Sequence, residues 1–392
     1  MNSTILNTEI QHFIAKNLNT DIASLLLKGL PFEHIPPQEV VEQIEAKNRC
    51  KNKLPTWFNT ENIYYPNKLN IEQTSSEITA KYKSELITGT RIIDLTGGFG
   101  VDCFYFSKRF EEVIHCDINP KLSDIVDHNF KALDVKNSQT FAGDGLEYLK
   151  ETDKTFDWIY IDPSRRHDSK GKVFFLNDCL PNVPEHLNLL FKHSKNILIK
   201  TSPLLDFSVG IGELKQVKKI IVVSVNNEVK ELLWILEADF KEDIAIKTVN
   251  IKKHETESFS FYLNEEKTAK ATFSDPQTYL YEPNSSILKS GAFQSISEKL
   301  QLDKLHPNAH LYTSTTLVDF PGRRFKIESC IAYNKKALKQ LANTKANITT
   351  RNFPESVQQI RKKFKIKDGG DKYLFFTSNF DNEKLVLVCS RV

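Results

Sequence analysis

A glycine-rich run with one acidic residue follows the apolar segment RIIDL in the first third of the chain. The run is Asp94-Leu95-Thr96-Gly97-Gly98-Phe99-Gly100, and a helix-compatible segment comes after it. Glycines at a strand-to-helix turn let the backbone approach a ligand closely, and the first N–H groups of a helix have no partner within it. The run therefore predicts a ligand-binding loop, whose candidate contacts are Asp94, Thr96, Gly97, Gly98 and Gly100.

Three more acidic residues stand at the ends of apolar segments. Asp117 ends EVIHCD, 23 residues after Asp94, Asp144 and Gly145 follow SQTFAG, and Asp162 ends FDWIYID. Open parallel α/β sheets hold their ligands at the carboxyl ends of the strands, where an acidic side chain can accept hydrogen bonds from both hydroxyls of a ribose. We expect Asp117 to bind ribose in this way and Asp144 to accept a bond from an adenine amino group.

The elements that position these residues alternate between short apolar strands and helices from Arg91 onwards. Five strand-helix units begin with RIIDL, EVIHCD, SQTFAG, FDWIYID and NILIK. This alternation predicts a parallel sheet covered by helices on both faces. The segments KIIVVSV and KELLWILE follow with no room for a crossover helix, so they are predicted to pair antiparallel at the edge of the sheet.

The rest of the chain divides around this region. Residues 1–70 show short amphipathic helices, and a helix over SSEITAKYKSELI, with a capping box from Thr74 to Glu77, leads into the first strand. A second α/β region begins past about residue 265. We predict a helical segment at residues 1–70, a main α/β domain at 71–240, a connecting region at 241–318 and a C-terminal domain at 319–392.

Composition excludes several classes of protein. The chain is 40% hydrophobic and 26% charged, and it has no apolar run near the ~20 residues that cross a bilayer. Its first residues lack a basic start and a cleavage site, so we predict a cytoplasmic protein. The cysteines form no CxxC pair, and His167, His186 and His193 lack metal-ligand spacing, which predicts no metal site.

Residues 72–240 resemble the class I S-adenosylmethionine-dependent methyltransferases. Thr96 is a departure from the glycine loop of that family, in which a glycine is frequent at this position. The resemblance implies a Rossmann-like seven-stranded sheet and S-adenosylmethionine as cofactor. It places Asp94 near the amino-acid moiety of the cofactor, Asp117 at the ribose and Asp144 at the adenine. A nicotinamide-binding Rossmann domain is the main alternative, but Cys103 stands where the third glycine of GxGxxG is expected.

The segment Asp162-Pro163-Ser164-Arg165 resembles the Asp-Pro-Pro-Tyr loop of methyltransferases that act on exocyclic amines, and Asp162 also borders the cofactor. Positioning of the amine is most of such catalysis. Ser164 and Arg165 replace a proline and an aromatic residue, so nitrogen and oxygen acceptors both stay open. Arg165 and Arg166 suit a phosphate or carboxylate, or pair with a nearby acid. Carbon-5 methylation is disfavoured, because the nearest thiol, Cys179, is predicted to lie buried in a helix.

The C-terminal part is strongly basic. Residues 321–392 contain 16 Lys and Arg against 6 Asp and Glu, a balance of +10, which leaves −7 for the other 320 residues. Basic residues interleaved with aromatic ones suit RNA, although a solvated helix face explains the lysine run as well. The candidate substrate contacts here are Arg323, Arg324, Arg351, Lys362 and Lys363.

These stretches resemble the THUMP-like domain at the C-terminal end of a group of class I methyltransferases, and YLYEPNSSILKSG resembles the ferredoxin-like piece that accompanies it. The resemblance implies RNA binding by analogy with THUMP domains. The leading hypothesis is a methyltransferase for a base of tRNA or rRNA. A methyltransferase for a protein or small molecule, and a noncatalytic RNA-binding protein, remain alternatives. The oligomeric state stays open.

Overall fold

The structure is a computed structural model that describes residues 1–32, 34–165 and 175–392. The chain divides into two compact units. The first comprises Met1–Val217 and Leu233–Phe240, and the second comprises Lys218–Leu232 and Lys241–Val392. Within the described ranges, no helix combines the length and the apolar character that a membrane crossing needs.

Short helices form the N-terminal part of the first unit, as the apolar spacing predicts. After a 3-10 turn at Ser3–Leu6 they are α1 (Thr8–Lys16), α2 (Ile22–Lys28), α3 (Pro37–Lys53), α4 (Pro55–Asn59) and α5 (Lys68–Gln73). The 3-10 turn, α1, α2 and α3 contribute to one buried cluster, which contains Ile5, Ile10, Ile14, Leu25, Ile35, Val40 and Ile44. Helices α1 and α2 are too short to be stable alone, so this shared core holds them.

Helix α6 (Glu77–Leu86) begins differently from the predicted capping box. Ser76 is its N-cap and accepts from the backbone N–H of Thr79, whereas Thr74 ends α5. The prediction was wrong because the Glu77 carboxylate has other partners. It accepts hydrogen bonds from the Thr56 backbone N–H at 2.6 Å and from the Tyr105 hydroxyl at 2.8 Å.

The large sheet and its helices follow in chain order. They are β1 (Arg91–Asp94), α7 (Val101–Phe106), β2 (Glu112–Asp117), α8 (Pro120–Ala132), β3 (Ser138–Ala142), α9 (Gly145–Glu151), β4 (Trp158–Ile161), β5 (Ser164–Arg165), β6 (Cys179–Leu180), α10 (Val183–His193), β7 (Asn196–Thr201), α11 (Phe207–Glu213), β8 (Val217–Val225), β9 (Glu228–Glu237), β10 (Ala245–Ile251) and β11 (Thr256–Tyr262). Strands β5 and β6 form a separate two-stranded ladder. Cys179 is buried, as predicted, but in a strand rather than a helix.

The sheet has nine strands, in the order β11-β10-β8-β9-β7-β4-β1-β2-β3. The predicted number of seven was too small, because β10 pairs parallel with β8 and β11 pairs antiparallel with β10. Strands β8 and β9 are neighbours, as predicted, but they do not form the edge. The prediction of a parallel core is confirmed, since β1 pairs parallel with both β2 and β4.

The remaining elements belong to the second unit. They are α12 (Leu263–Thr268), β12 (Tyr279–Pro283), α13 (Ser285–Ser290), α14 (Ser295–Leu300), β13 (Asp303–Lys304), β14 (Tyr312–Ser314), β15 (Gly322–Ala332), a 3-10 turn at Ala337–Leu341, β16 (Asn347–Thr350), α15 (Val357–Phe364), β17 (Lys372–Ser378) and β18 (Lys384–Arg391). The sheet order is β13-β14-β12-β15-β18-β17-β16. Helices α13 and α14 are separate because Gly291 ends α13 with a left-handed φ of 76°.

Candidate active site

The glycine loop lies between β1 and α7, and its two central glycines have different surroundings. A Cβ on Gly97 would lie 2.1 Å from Cδ2 of His115, so only glycine fits against this ring. Gly98 has a φ of 54°, and a Cβ there would meet no atom nearer than the Thr96 carbonyl oxygen at 3.8 Å. The loop therefore packs on the protein at Gly97 and presents an open backbone face at Gly98, where a ligand can approach.

His115 supports this loop from within β2. The ring is fully buried, and its Nε2 lies 3.1 Å from the Gly98 carbonyl oxygen. Nδ1 is buried and has no hydrogen-bond partner among the described residues. A tautomer with the proton on Nε2 satisfies this arrangement, because Nε2 then donates to Gly98. Burial lowers the pKa of His115, so the ring stays neutral. Nothing in the sequence singled out this residue, which stands inside an apolar strand.

Asp117 ties the glycine loop to the end of β2. Its Oδ2 accepts from the Gly98 N–H at 2.9 Å, and its Oδ1 accepts from the Asn119 N–H at 2.8 Å. Each carboxylate oxygen can accept a second hydrogen bond, so ribose binding by Asp117 stays a prediction that the geometry permits. Ile118, which the sequence did not indicate, is 78% exposed directly after this acid. An aliphatic side chain there can cover the flat face of a base.

Asp144 and Gly145 stand at the end of β3. Asp144 is exposed and caps α9, because its Oδ1 accepts from the Leu146 N–H at 2.8 Å. A Cβ on the buried Gly145 would lie 2.9 Å from Cα of Leu95. Gly145 therefore allows α9 to begin close to the end of β1. Adenine recognition by Asp144 remains a prediction beside its role as a helix cap.

Asp94 lies underneath the loop rather than on its open face. The side chain is buried, and its Oδ1 accepts from the Thr96 N–H at 2.9 Å and from the Thr96 hydroxyl at 3.2 Å. The Cys103 Sγ lies 3.3 Å from Oδ2. Burial raises the pKa of Asp94 to about 8, against the lowering effect of the Thr96 N–H. At neutral pH the carboxyl group is therefore largely protonated and holds the loop as a neutral group.

This raised pKa makes the stability of the protein depend on pH through Asp94. The folded state binds a proton that the unfolded chain releases above its ordinary pKa of 3.8, so the contribution of Asp94 decreases as pH rises toward about 8. In an Asp94→Asn variant the amide keeps the oxygen toward Thr96 and does not ionise. We expect the free energy of unfolding of the variant, relative to wild type, to increase between pH 5 and pH 8. Denaturant unfolding at four pH values measures this difference in the free energy of unfolding. A difference that does not change with pH would contradict the raised pKa of Asp94.

A buried charged network lies beside the loop at the start of α7. Lys83, which has no exposed surface, reaches Oδ1 of Asp102 at 3.2 Å. Oδ2 of Asp102 accepts from the Ser75 hydroxyl at 2.8 Å and from the Tyr160 hydroxyl at 3.0 Å. The network connects α6, α7 and β4, which together position the glycine loop. Sequence reasoning missed it, because its members come from three distant segments.

The acceptor loop after β4 is joined directly to the glycine loop. The Asp162 N–H donates to the Thr96 hydroxyl at 2.7 Å, and Oδ2 of Asp162 lies 2.5 Å from Nζ of Lys200. Pro163 is buried, and Ser164 is exposed opposite Leu180 in the β5–β6 ladder. For Arg165 the described part is its backbone in β5, and Arg166 lies outside the described residues. Sequence reasoning missed Lys200. The signal that could have indicated it is a charged residue near the end of the otherwise apolar β7.

In the second unit, several predicted substrate contacts are in ion pairs. Arg323 and Arg351 both bind Glu282, which is buried, and Nη2 of Arg351 lies 2.8 Å from its Oε1. These two arginines therefore balance a buried charge. Arg324 lies 3.2 Å from Asp319, and Lys363 lies 3.0 Å from Glu355. Lys362 is exposed, and no ion pair joins it to another described residue. RNA contact by all five stays a prediction.

Comparisons with known proteins cover both units. A family model described as a ferredoxin-like domain matches residues 279–321, and one described as THUMP domain-like matches residues 322–391. A search of curated proteins finds no match.

Among the described residues, no three His, Cys, Asp or Glu side chains are grouped as a metal site requires.

The matching solved structures include a full-length match and several partial ones. TrmK from M. capricolum, bound to S-adenosyl-homocysteine, is 16% identical over 42% of this chain and 70% of its own, with a TM-score of 0.34. An rRNA methylase from Streptococcus thermophilus is 12% identical over 41% of this chain and 93% of its own, with a TM-score of 0.31.

A candidate methyltransferase from Porphyromonas gingivalis W83 is 33% identical over 100% of this chain and 99% of its own, with a TM-score of 0.89. The chain therefore belongs to the same family as this protein, that of the class I S-adenosylmethionine-dependent methyltransferases with a C-terminal THUMP-like domain.

Proposed function

We propose that the protein transfers a methyl group from S-adenosylmethionine to a base of a structured RNA, tRNA or rRNA. The observation that carries the catalytic part is the hydrogen bond from the Asp162 N–H to the Thr96 hydroxyl. It fixes the acceptor loop against the glycine loop within one unit. Catalysis would reside in residues 71–240, and RNA would dock on residues 319–392.

The residues at the carboxyl ends of β1, β2 and β3 fit the cofactor. The backbone at Gly98 is open, and Asp117 lies beside it with acceptor capacity for a ribose. The exposed Ile118 and Asp144 would cover and read the adenine. When bound, the cofactor supplies a methyl group activated by a positively charged sulfur. The protein itself binds and orients both partners, and Asp162 accepts a hydrogen bond from the acceptor.

Exposed lysines in the second unit support docking of RNA. Between β15 and β17 the exposed ones include Lys335, Lys336, Lys339, Lys362 and Lys365. No ion pair joins any of these five to another described residue, in contrast to Arg323 and Arg351, which balance Glu282. Phosphate contacts dominate nucleic-acid affinity and weaken steeply with salt. We therefore assign the main electrostatic contacts to the lysines.

The test is the transfer of labelled methyl from S-adenosylmethionine to total RNA from cells that lack the protein. We expect wild type to label RNA, and Asp162→Ala to reduce the rate at least about 100-fold, because positioning of the acceptor is lost. Replacement of Lys339, Lys362 and Lys365 by glutamate should weaken RNA binding. It should also reduce the slope of log K against log salt by about 2 to 3. Calorimetry should show unchanged cofactor binding in both variants.

The matched control replaces Lys16, Lys28 and Lys51 by glutamate, three exposed lysines of the first unit that no ion pair joins to another described residue. It changes the net charge by the same amount and should leave RNA binding nearly intact. Label in a protein or small-molecule fraction, and none in RNA, would replace the proposal by a methyltransferase for that acceptor. Cofactor binding without label in any fraction would indicate a noncatalytic RNA-binding protein.

A further inference from the structure

Lys200 and Asp162 lie at the ends of two neighbouring parallel strands. Strand β4 pairs with β7 so that Ile161 is opposite Ile199. The next residues along each strand, Asp162 and Lys200, therefore point to the same side of the sheet. Nζ of Lys200 lies 2.5 Å from Oδ2 of Asp162, and the two side chains are 15% and 29% exposed. The pair is thus half-buried at the carboxyl ends of the strands, where the predicted cofactor residues also lie.

The surroundings distinguish this ion pair from the structural pair beside it. Asp102 in the Lys83 network is almost fully buried, and two hydroxyl groups bind its Oδ2. The Asp162 carboxylate remains accessible, and its position is fixed through its own backbone N–H by Thr96. Taking two charges from water has a cost, and an apolar pair at this place would stabilise the fold as well. The pair therefore points to a function at the acceptor loop.

We propose that Lys200 is a positioning residue of the acceptor site, which holds the Asp162 carboxylate in the orientation that binds an acceptor N–H. The inference rests on the proposed function and names its acceptor class, a nitrogen that carries hydrogen. With Oδ2 bound to Lys200, Oδ1 would be the oxygen that accepts from the acceptor N–H. The nitrogen lone pair forms the new N–C bond, and the electrons of the broken S–C bond stay on sulfur. The proton that nitrogen loses passes to Asp162 and then to water.

The test compares three variants, two at Lys200 and one at Lys195, just before β7. Lys200→Met removes the charge and keeps most of the stem, Lys200→Arg keeps the charge, and Lys195→Met removes an exposed lysine just before β7. We expect Lys200→Met to lower kcat for RNA about 100-fold, since a displaced group costs about that much. KM for RNA and the Kd for S-adenosylmethionine should change less than about threefold. Lys200→Arg should recover about tenfold of the loss, and Lys195→Met should behave as wild type.

A merely structural role predicts another result. Equal loss of stability and cofactor affinity in Lys200→Met, with kcat retained once the protein is folded, would overturn the proposal. Thermal unfolding of Lys200→Met, Asp162→Asn and the double variant measures stability, and calorimetry and the methyl-transfer assay on the same proteins measure cofactor affinity and kcat. If wild type labels a protein or small-molecule amine instead of RNA, the RNA proposal fails, and the same kcat loss with that acceptor would uphold the role of Lys200. An acceptor that is an oxygen or carbon atom would overturn it.

Discussion

A Gly97→Ala variant is expected to lose measurable binding of S-adenosylmethionine. The added methyl group would lie 2.1 Å from Cδ2 and 2.3 Å from Nε2 of His115, well inside contact distance. The ring is buried and held by its hydrogen bond to the Gly98 carbonyl oxygen, so it has little room to move. The loop must shift instead, and the Gly98 N–H then leaves Asp117. We expect a loss of at least about 100-fold in affinity and about 1 to 3 kcal/mol in stability.

Titration calorimetry and thermal unfolding measure these two effects, and two other glycines separate their causes. A Cβ on Gly212 meets nothing within 4 Å, so Gly212→Ala should leave cofactor affinity unchanged and, because Gly212 lies in α11, should not lower stability. A Cβ on Gly98 meets no side chain but enters the open face of the loop. Gly98→Ala should therefore reduce affinity with a loss of only about 1 kcal/mol in stability. Wild-type affinity in Gly97→Ala would show that the cofactor binds elsewhere.

The sequence was sufficient for the parts of this site that depend on local pattern. Short apolar segments that end in acids predict β1 to β4, and the rule that ligands bind at carboxyl ends of parallel strands brings Asp94, Asp117 and Asp162 to one edge. The structure has them there, with direct bonds from the loop to Asp94 and Asp117. Their roles toward the cofactor remain predictions. The hydrogen bond between Thr96 and Asp162 spans 66 residues, and no local pattern indicates it.

Features that depend on pairing between distant segments could not be predicted. The charge count over residues 321–392 included Arg323 and Arg351 but not their partner Glu282, which lies opposite Arg323 in the register of β12 and β15. Likewise, nothing local specifies that β10 lies beside β8. Periodicity indicates which face of a segment is buried and does not indicate the neighbour that covers it.

The second large effect is a loss of stability on replacement of the buried Lys83, because its charge cannot be hydrated in the folded state. A Lys83→Met variant keeps the apolar stem and leaves Asp102 inside the protein without its ammonium partner at 3.2 Å. Removal of one partner of a buried pair costs about 3 to 5 kcal/mol, so thermal unfolding should show a loss of this size. Lys81→Met is the matched control on the same helix. Lys81 is 67% exposed, its contact to Glu85 is 4.0 Å long, and its replacement should cost less than about 1 kcal/mol.

The Lys83→Met/Asp102→Asn double variant decides whether the loss comes from the unpaired charge. If it does, removal of the second charge restores part of the stability, and the double variant is more stable than Lys83→Met alone. The amide that replaces the Asp102 carboxylate keeps an oxygen that accepts from Ser75 and Tyr160, so these bonds survive. A double variant less stable than Lys83→Met would show that packing of the lysine stem dominates. Because Asp102 lies in the first turn of α7, directly after the glycine loop, Lys83→Met should also weaken cofactor binding, and the double variant should recover part of that loss.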